Sequence, residues 1–108
     1  MLLEDFELNQ LQELVLSGKT RNERWRRKQL QALLNLLENH QKEILKALNQ
    51  DLGKPATEAF FEIIAIKQEI KLAQKKLSHW MKTRKINVPI SLKPAQALVQ
   101  PDPLGCIL

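Results

Sequence analysis

The stretch PATEAFFEIIAIKQEIKLAQKKLSHW, residues 55–80, decides the fold of this chain. Seven of its apolar residues recur alternately four and three positions apart, and they are Ala59, Ile63, Ile66, Ile70, Ala73, Leu77 and Trp80. This spacing gathers the apolar side chains into a stripe on one side of an α-helix and leaves the charged ones around it. The sequence therefore predicts one long helix after Pro55 whose apolar stripe must be covered.

Shorter helices are predicted upstream of Pro55. A first helix should run over about residues 3–16, and Thr20 is expected to act as the N-cap of a second. The apolar face of the second helix is predicted to be Leu30, Leu33, Leu34 and Leu37. The pattern slips at residues 38–40, which predicts a bend or a break before a further helix. Gly53 is expected to close that helix in a left-handed conformation.

Helix signals fade from Thr83 onward, so the rest of the chain is predicted to be extended. Two prolines interrupt residues 85–100, which leaves room for an edge strand at residues 95–100. After the turn at residues 101–105, the run Cys106-Ile107-Leu108 is typical of the first residues of a buried strand. The predicted fold is mainly α, with three to four helices and a short β-like tail. Residues 1–82 form its helical region and residues 83–108 its extended segment.

Composition limits the class of protein. With 108 residues, 44% of them hydrophobic, the chain is sufficient for one small domain with a core. The net charge of +5 permits contact with nucleic acid or an acidic membrane without requiring it. A single cysteine makes no internal disulfide, the N-terminus is acidic rather than signal-like, and no apolar run approaches the roughly 18 residues of a membrane span. We expect a cytoplasmic protein.

Residues able to carry chemistry are few. His40, His79 and Cys106 lack the three- or four-residue spacing that would aim them at one metal ion. Cys106 lies in an apolar run, where a thiol behaves as a small hydrophobic group rather than as a nucleophile. Glu58 and Glu62 lie one turn apart and are expected to be solvated. The three glycines are too far apart for a phosphate loop. The sequence assigns no catalytic, cofactor-binding or metal-binding residue.

One dense basic cluster consists of Arg21, Arg24, Arg26, Arg27 and Lys28. With Trp25 inside it, the cluster could grip phosphates while the indole stacks on a base. Helical geometry favours another interpretation, in which the indole points toward the core and acidic groups elsewhere in the fold hold the arginines. We therefore expect no nucleic-acid partner.

Several motifs together carry a resemblance. They are Ser17–Arg21, Gln29–Leu33, Ala47–Pro55, Glu58, Leu77–Trp80 and Pro103–Gly105. In their order and spacing they resemble the aldehyde dehydrogenase superfamily, in its class-3-type or fatty-aldehyde branch. The resemblance runs from about Val15 to Leu108 and covers only the beginning of that enzyme.

The resemblance implies an enzyme that oxidises aldehydes to carboxylic acids with NAD or NADP. In that family a cysteine thiolate attacks the carbonyl, a glutamate activates water, and an asparagine with a backbone amide stabilises the oxyanion. These groups are expected beyond residue 108. Cys106 does not match the nucleophile's motif, and Asp102 stands where glutamate is usual. The segment after Pro103-Leu104-Gly105 would begin the nucleotide-binding sheet, so residues 83–108 would lead into a missing nucleotide-binding domain.

The resemblance thus implies a truncated N-terminal fragment that is inactive alone and binds no cofactor. Its partner would be the missing remainder of the enzyme, which in the family is a homo-oligomer, a dimer, and this segment is expected to make no membrane contact. The uncovered stripe could then promote self-association. Two alternatives remain: a helical interaction module that binds through the stripe from Ala59 to Trp80, and a basic nucleic-acid binder that uses Arg21 to Lys28.

Overall fold

The structure, a computed structural model, describes residues 3–107, with side chains from residue 7 onward. In this range four α-helices precede a two-stranded antiparallel sheet. The helices are α1 (Leu3–Leu16), α2 (Glu23–Asn39), α3 (Gln41–Leu52) and α4 (Ala56–Trp80), and the strands are β1 (Arg84–Ile86) and β2 (Ala97–Val99). Short 3-10 turns lie at Lys19–Arg21 and Ile90–Leu92. The predicted mainly helical fold with a short β-like tail is confirmed.

The chain divides into two compact units. The helical unit is Arg24–Lys76, which holds α3, nearly all of α2 and most of α4. The terminal unit combines Met1–Glu23 with Leu77–Leu108, and it holds α1 and both strands.

The core of the helical unit forms between α2 and α4. Leu34, Leu37 and Ile70 make a buried cluster, and the partly buried Leu30 and Ile44 pack against it. Burying aliphatic side chains of this size contributes about 1.5–3 kcal/mol each, which is what holds short helices together. Two of the four residues predicted for the apolar face of α2 are therefore in the core. The sequence pattern places Leu33 on this face as well, but its side chain is 42% exposed.

The stripe of α4 is buried on one side only. Ala59, Ile63, Ile70 and Leu77 are buried by the chain itself, whereas Ile66 and Trp80 are exposed. Each helical residue advances about 100° around the axis. Ile63 and Ile70 then lie about 20–40° to one side of Ala59, while the exposed Ile66 and Trp80 lie about 20–60° to the other. Because the apolar residues repeat every 3.5 positions and the helix turns every 3.6, the stripe spreads around the helix. The rest of the chain covers only one side of it.

The helix boundaries confirm two predictions and correct one. His40 separates α2 from α3 with φ −113° and ψ 21°, so the predicted bend is present. Gly53 ends α3 in the left-handed conformation at φ 65°, and its amide donates to the Asn49 carbonyl at 2.8 Å. Thr20, however, does not cap α2, because it lies in the 3-10 turn and α2 begins only at Glu23. The 3-10 turn follows Gly18, which has the left-handed conformation at φ 77°.

The tail forms a short β-ribbon. Arg84 pairs with Val99, Lys85 with Leu98 and Ile86 with Ala97. Strand β2 lies inside the predicted 95–100 segment, and all six strand residues are exposed. Cys106 and Ile107 lie in no strand, contrary to prediction, because no neighbouring strand among the described residues bonds to their backbone. Leu108, the third residue of that predicted strand, lies outside the described residues.

Helix α4, with 25 residues, is long enough to cross a bilayer but carries too many charges. No other helix among the described residues combines the necessary length and apolarity.

Candidate functional site

The basic cluster at the start of α2 is engaged within the fold. Arg21 Nη1 lies 3.2 Å from Asp102 Oδ1, so the acidic partner expected for the cluster is present for this arginine. Both side chains are more than half exposed, and such pairs contribute about 0–1 kcal/mol. The pair joins the 3-10 turn at Lys19–Arg21 to the segment that precedes Pro103.

A second arginine of the cluster joins α2 to α4 inside the helical unit. Arg27 Nη1 donates to the Gln74 carbonyl at 2.6 Å in a partly buried setting. The Gln74 amide donates in turn to Gln31 Oε1 at 3.0 Å. Trp25, inside the same cluster, is half-buried. Arg21 therefore links the 3-10 turn to the segment before Pro103, and Arg27 links α2 to α4.

Glu23 carries a third link, which lies in the terminal unit. Its Oε1 accepts a short 2.5 Å hydrogen bond from the Ser78 hydroxyl in the last turn of α4. The negative charge of Glu23 also lies at the positive, N-terminal end of the α2 dipole, and this attraction favours the start of the helix here.

The groups that could serve catalysis or bind a metal lie apart. His40 Nδ1 contacts Glu43 Oε2 at 2.8 Å, one turn along α3. His79 is exposed in the last turn of α4, and Cys106 is a half-buried free thiol in the tail. Among the described residues, no three His, Cys, Asp or Glu side chains cluster in a way that could hold a metal ion.

The two glutamates near the start of α4 have different surroundings. Glu62 forms an ion pair with Lys54, the residue before Pro55, and this pair links the α3–α4 connection to α4. Glu58, one turn earlier, is exposed. An ion-paired carboxylate and a solvated one do not form the close pair that general acid and base catalysis requires.

Large apolar side chains remain exposed in each unit. In the helical unit Phe61 is 63% exposed and Leu36 is 52% exposed. In the terminal unit Leu16, Ile90 and Leu104 are each more than 80% exposed. A small folded chain with this much exposed apolar surface is suited to being covered by further protein or by another apolar phase.

Known proteins resemble this chain over most of its length. The model of the aldehyde dehydrogenase family matches residues 17–108. An aldehyde dehydrogenase of Craterostigma plantagineum is 39% identical over 99 residues, which are 91% of this chain and 21% of that protein. Aldehyde dehydrogenase family 3 member H1 of Arabidopsis thaliana is 40% identical over 92 residues, which are 84% of this chain and 19% of that protein.

A solved structure described as the substrate-bound state of Staphylococcus aureus AldH matches with a TM-score of 0.83 and 29% identity. The match covers 93% of this chain and 22% of that one. The chain thus spans about a fifth of the length of the relatives it matches, and its helices correspond to the N-terminal part of their fold. Since the family model covers residues 17–108, the chain belongs to the aldehyde dehydrogenase family.

Proposed function

We propose that this chain is the leading helical part of an NAD(P)-dependent aldehyde dehydrogenase. The whole enzyme would oxidise aldehydes, with fatty aldehydes as one candidate class, to carboxylic acids. The observation that carries the proposal is the match of residues 17–108 to aldehyde dehydrogenases of which the chain spans about a fifth. We also propose a cytoplasmic location, because the single cysteine gives the chain no internal disulfide.

We infer that these 108 residues do not catalyse the reaction alone. Binding of a dinucleotide uses a glycine-rich turn before a helix, where backbone amides meet the phosphates. The glycines here lie at helix ends and in the tail, at positions 18, 53 and 105, with open space around each. Cys106 is a half-buried free thiol in the tail and does not match the nucleophile's motif of the family. The residues present do not fit NAD or NADP, so the cofactor belongs to the whole enzyme.

The proposed role of the chain is structural. Residues 1–82 would supply a helical layer against the rest of the enzyme, and residues 83–108 would lead into its nucleotide-binding domain. Exposed apolar side chains such as Phe61 and Leu104 support this role, because they supply surface for a larger protein to cover. The partner is then the remainder of the dehydrogenase, and we expect the assembled enzyme to be a dimer.

Two measurements test the proposal. The purified chain, mixed with NAD or NADP and a long-chain aldehyde, should form no reduced cofactor, while the Arabidopsis relative assayed alongside serves as the positive control. Substituting residues 1–108 for the matching segment of that relative should yield an active enzyme. Turnover by the isolated chain would contradict its inactivity, and a folded but inactive chimera would contradict the role of the chain as a leading segment.

A matched pair of variants sharpens the chimera experiment. Ile63→Asp places a charge at a position that is 1% exposed and should abolish both folding and activity of the chimera. Lys46→Gln changes an exposed residue of α3 and should leave both intact.

The alternative of a helical interaction module receives less support. Its binding surface would be the stripe from Ala59 to Trp80, but four of those positions are already buried by the chain itself. A partner could reach only the exposed remainder of that stripe, chiefly Ile66 and Trp80.

A further inference from the structure

The chain exposes more surface than a compact protein of its mass. Its accessible surface is 9225 Å², whereas a folded monomer of 12.5 kDa exposes about 6,200 Å². The excess is about 3,000 Å². If half of it met a partner, the two surfaces together would bury about 3,000 Å², which is the size of a permanent interface. The surface is therefore large enough to hold a partner without a peptide bond.

The helical unit completes its own core before any partner covers it. Ala59 and Ile63 of α4 are at most 1% exposed, and Ile70 joins Leu34 and Leu37 in the buried cluster. Among the described residues, no buried side-chain nitrogen or oxygen lacks a hydrogen-bond partner. A surface that is already ordered loses less conformational entropy when it binds. The helical unit can therefore meet a partner as a preformed body.

The segment at residues 104–107 differs from the helical unit in having unused backbone groups. It lies in no helix or strand, and within the described range its backbone makes no hydrogen bond to other backbone. The Leu104 side chain is 91% exposed and that of Ile107 is 75% exposed. Unbonded backbone groups beside apolar side chains are suited to joining the edge of a sheet in a partner.

We propose that the chain binds the remaining four-fifths of an aldehyde dehydrogenase in trans, with no peptide bond between the two. Residues 104–107 join a sheet of that remainder as a strand, and the partner covers exposed apolar groups of the helical unit. The proposal rests on the dehydrogenase function proposed above. It adds that a separate polypeptide is sufficient to complete the enzyme.

The remainder of the enzyme fits this surface better than a second copy of the chain does. The chain spans about a fifth of the relatives it matches, so most of the protein that accompanies this fold in them lies outside it. Two copies would each carry +5, and like charge opposes their association. The described part of a second copy also offers only strands of three residues as sheet edges.

Co-expression of two polypeptides tests the proposal. One is the full chain with an affinity tag, and the other is the Arabidopsis relative without the segment that matches this chain. The tagged chain should co-purify with the shortened relative in a one-to-one ratio, and the complex should reduce NAD or NADP with a long-chain aldehyde. Neither polypeptide expressed alone should do so. The covalent chimera is the reference for full activity.

Variants of the tail test where the partner binds. Leu104→Asp and Ile107→Asp should each lower the amount of co-purified relative by about tenfold or more, because a charge replaces an apolar contact. Ile107→Val keeps an apolar side chain and should leave most of the relative bound. Leu16→Asp is the matched control, since Leu16 is 85% exposed but precedes the family match at residue 17. It should leave co-purification unchanged, and circular dichroism of each tagged chain keeps unfolding separate from loss of binding.

Three results would overturn the proposal. They are a shortened relative that does not co-purify, a complex that contains two copies of the chain and no relative, and a Leu16→Asp variant that weakens binding as much as Leu104→Asp. An active covalent chimera beside an inactive co-expressed pair would overturn binding in trans and leave the proposed function standing. A folded but inactive chimera would overturn both.

Discussion

Ile63 and Ile66 lie one turn apart on α4, yet their surroundings differ sharply. The Ile63 side chain is 1% exposed and that of Ile66 is 45% exposed. Ile63→Ala should therefore lower the free energy of unfolding by about 2–5 kcal/mol, because it leaves a cavity in the helical unit. Ile66→Ala, the matched control, should cost less than about 1 kcal/mol. Urea unfolding of the two variants measures the difference, and equal losses would show that this side of the stripe is not the covered one.

Arg21 and Asp102 illustrate a contact that stabilises weakly although it joins distant parts of the sequence. Asp102→Asn should lower the free energy of unfolding by about 0.5 kcal/mol at low salt, since both partners are exposed. The loss should vanish in high salt, where screening weakens the pair in the parent chain too. The double variant Arg21→Gln/Asp102→Asn should lose no more free energy of unfolding than Asp102→Asn alone. A salt-independent loss above about 2 kcal/mol would contradict an exposed pair.

At the scale of elements, the end of α3 depends on one backbone conformation. Gly53 has a φ of 65°, and a Cβ at this position would meet open space, so the cost of a side chain comes from the backbone alone. Gly53→Ala should lower the free energy of unfolding by about 1 kcal/mol. Gly53→Asn should cost less, because asparagine tolerates the left-handed region better. Thermal unfolding followed by circular dichroism checks the order, and an alanine variant as stable as the parent would contradict the assigned cap.

Elements whose causes are local could be predicted from the sequence. Gly53 and the interruption of the apolar spacing at residues 38–40 each affect only the adjacent helical turn. The end of α3 and the bend at His40 can therefore be predicted from the sequence alone. The Thr20 hydroxyl suits an N-cap, but the 3-10 turn that shifts the start of α2 to Glu23 depends on how the chain leaves Gly18. Strand β1 could not be located either, since its pairing with β2 is set by register across residues 87–96.

The candidate site was less predictable than the helices. Arg21 and Asp102 are separated by 81 positions and Glu23 and Ser78 by 55, so no local pattern signals either contact. The family could be recognised because its motifs lie at the helix ends and turns that local sequence does determine.

At the scale of the whole molecule, net charge opposes the association of exposed apolar surface. The chain carries +5 at pH 7 and approaches zero net charge near its pI of about 9.6. Raising the pH from 7 toward 9.6 should therefore increase light scattering, because repulsion between molecules falls while Phe61 and Leu104 stay exposed. Added salt at pH 7 should act in the same direction. Scattering that is unchanged across this range would show that the exposed groups do not drive association.

The hydrogen bond from Arg27 to the Gln74 carbonyl holds the first and last residues of the helical unit close together, at the same end of the α2–α4 pair. Residues 24–76 thus form a cassette whose two termini are neighbours. Excising residues 24–76 and joining their ends would remove Glu23 from α2 and Leu77–Trp80 from α4, whereas new termini at the exposed α3–α4 connection around Gly53 would leave both helices uncut.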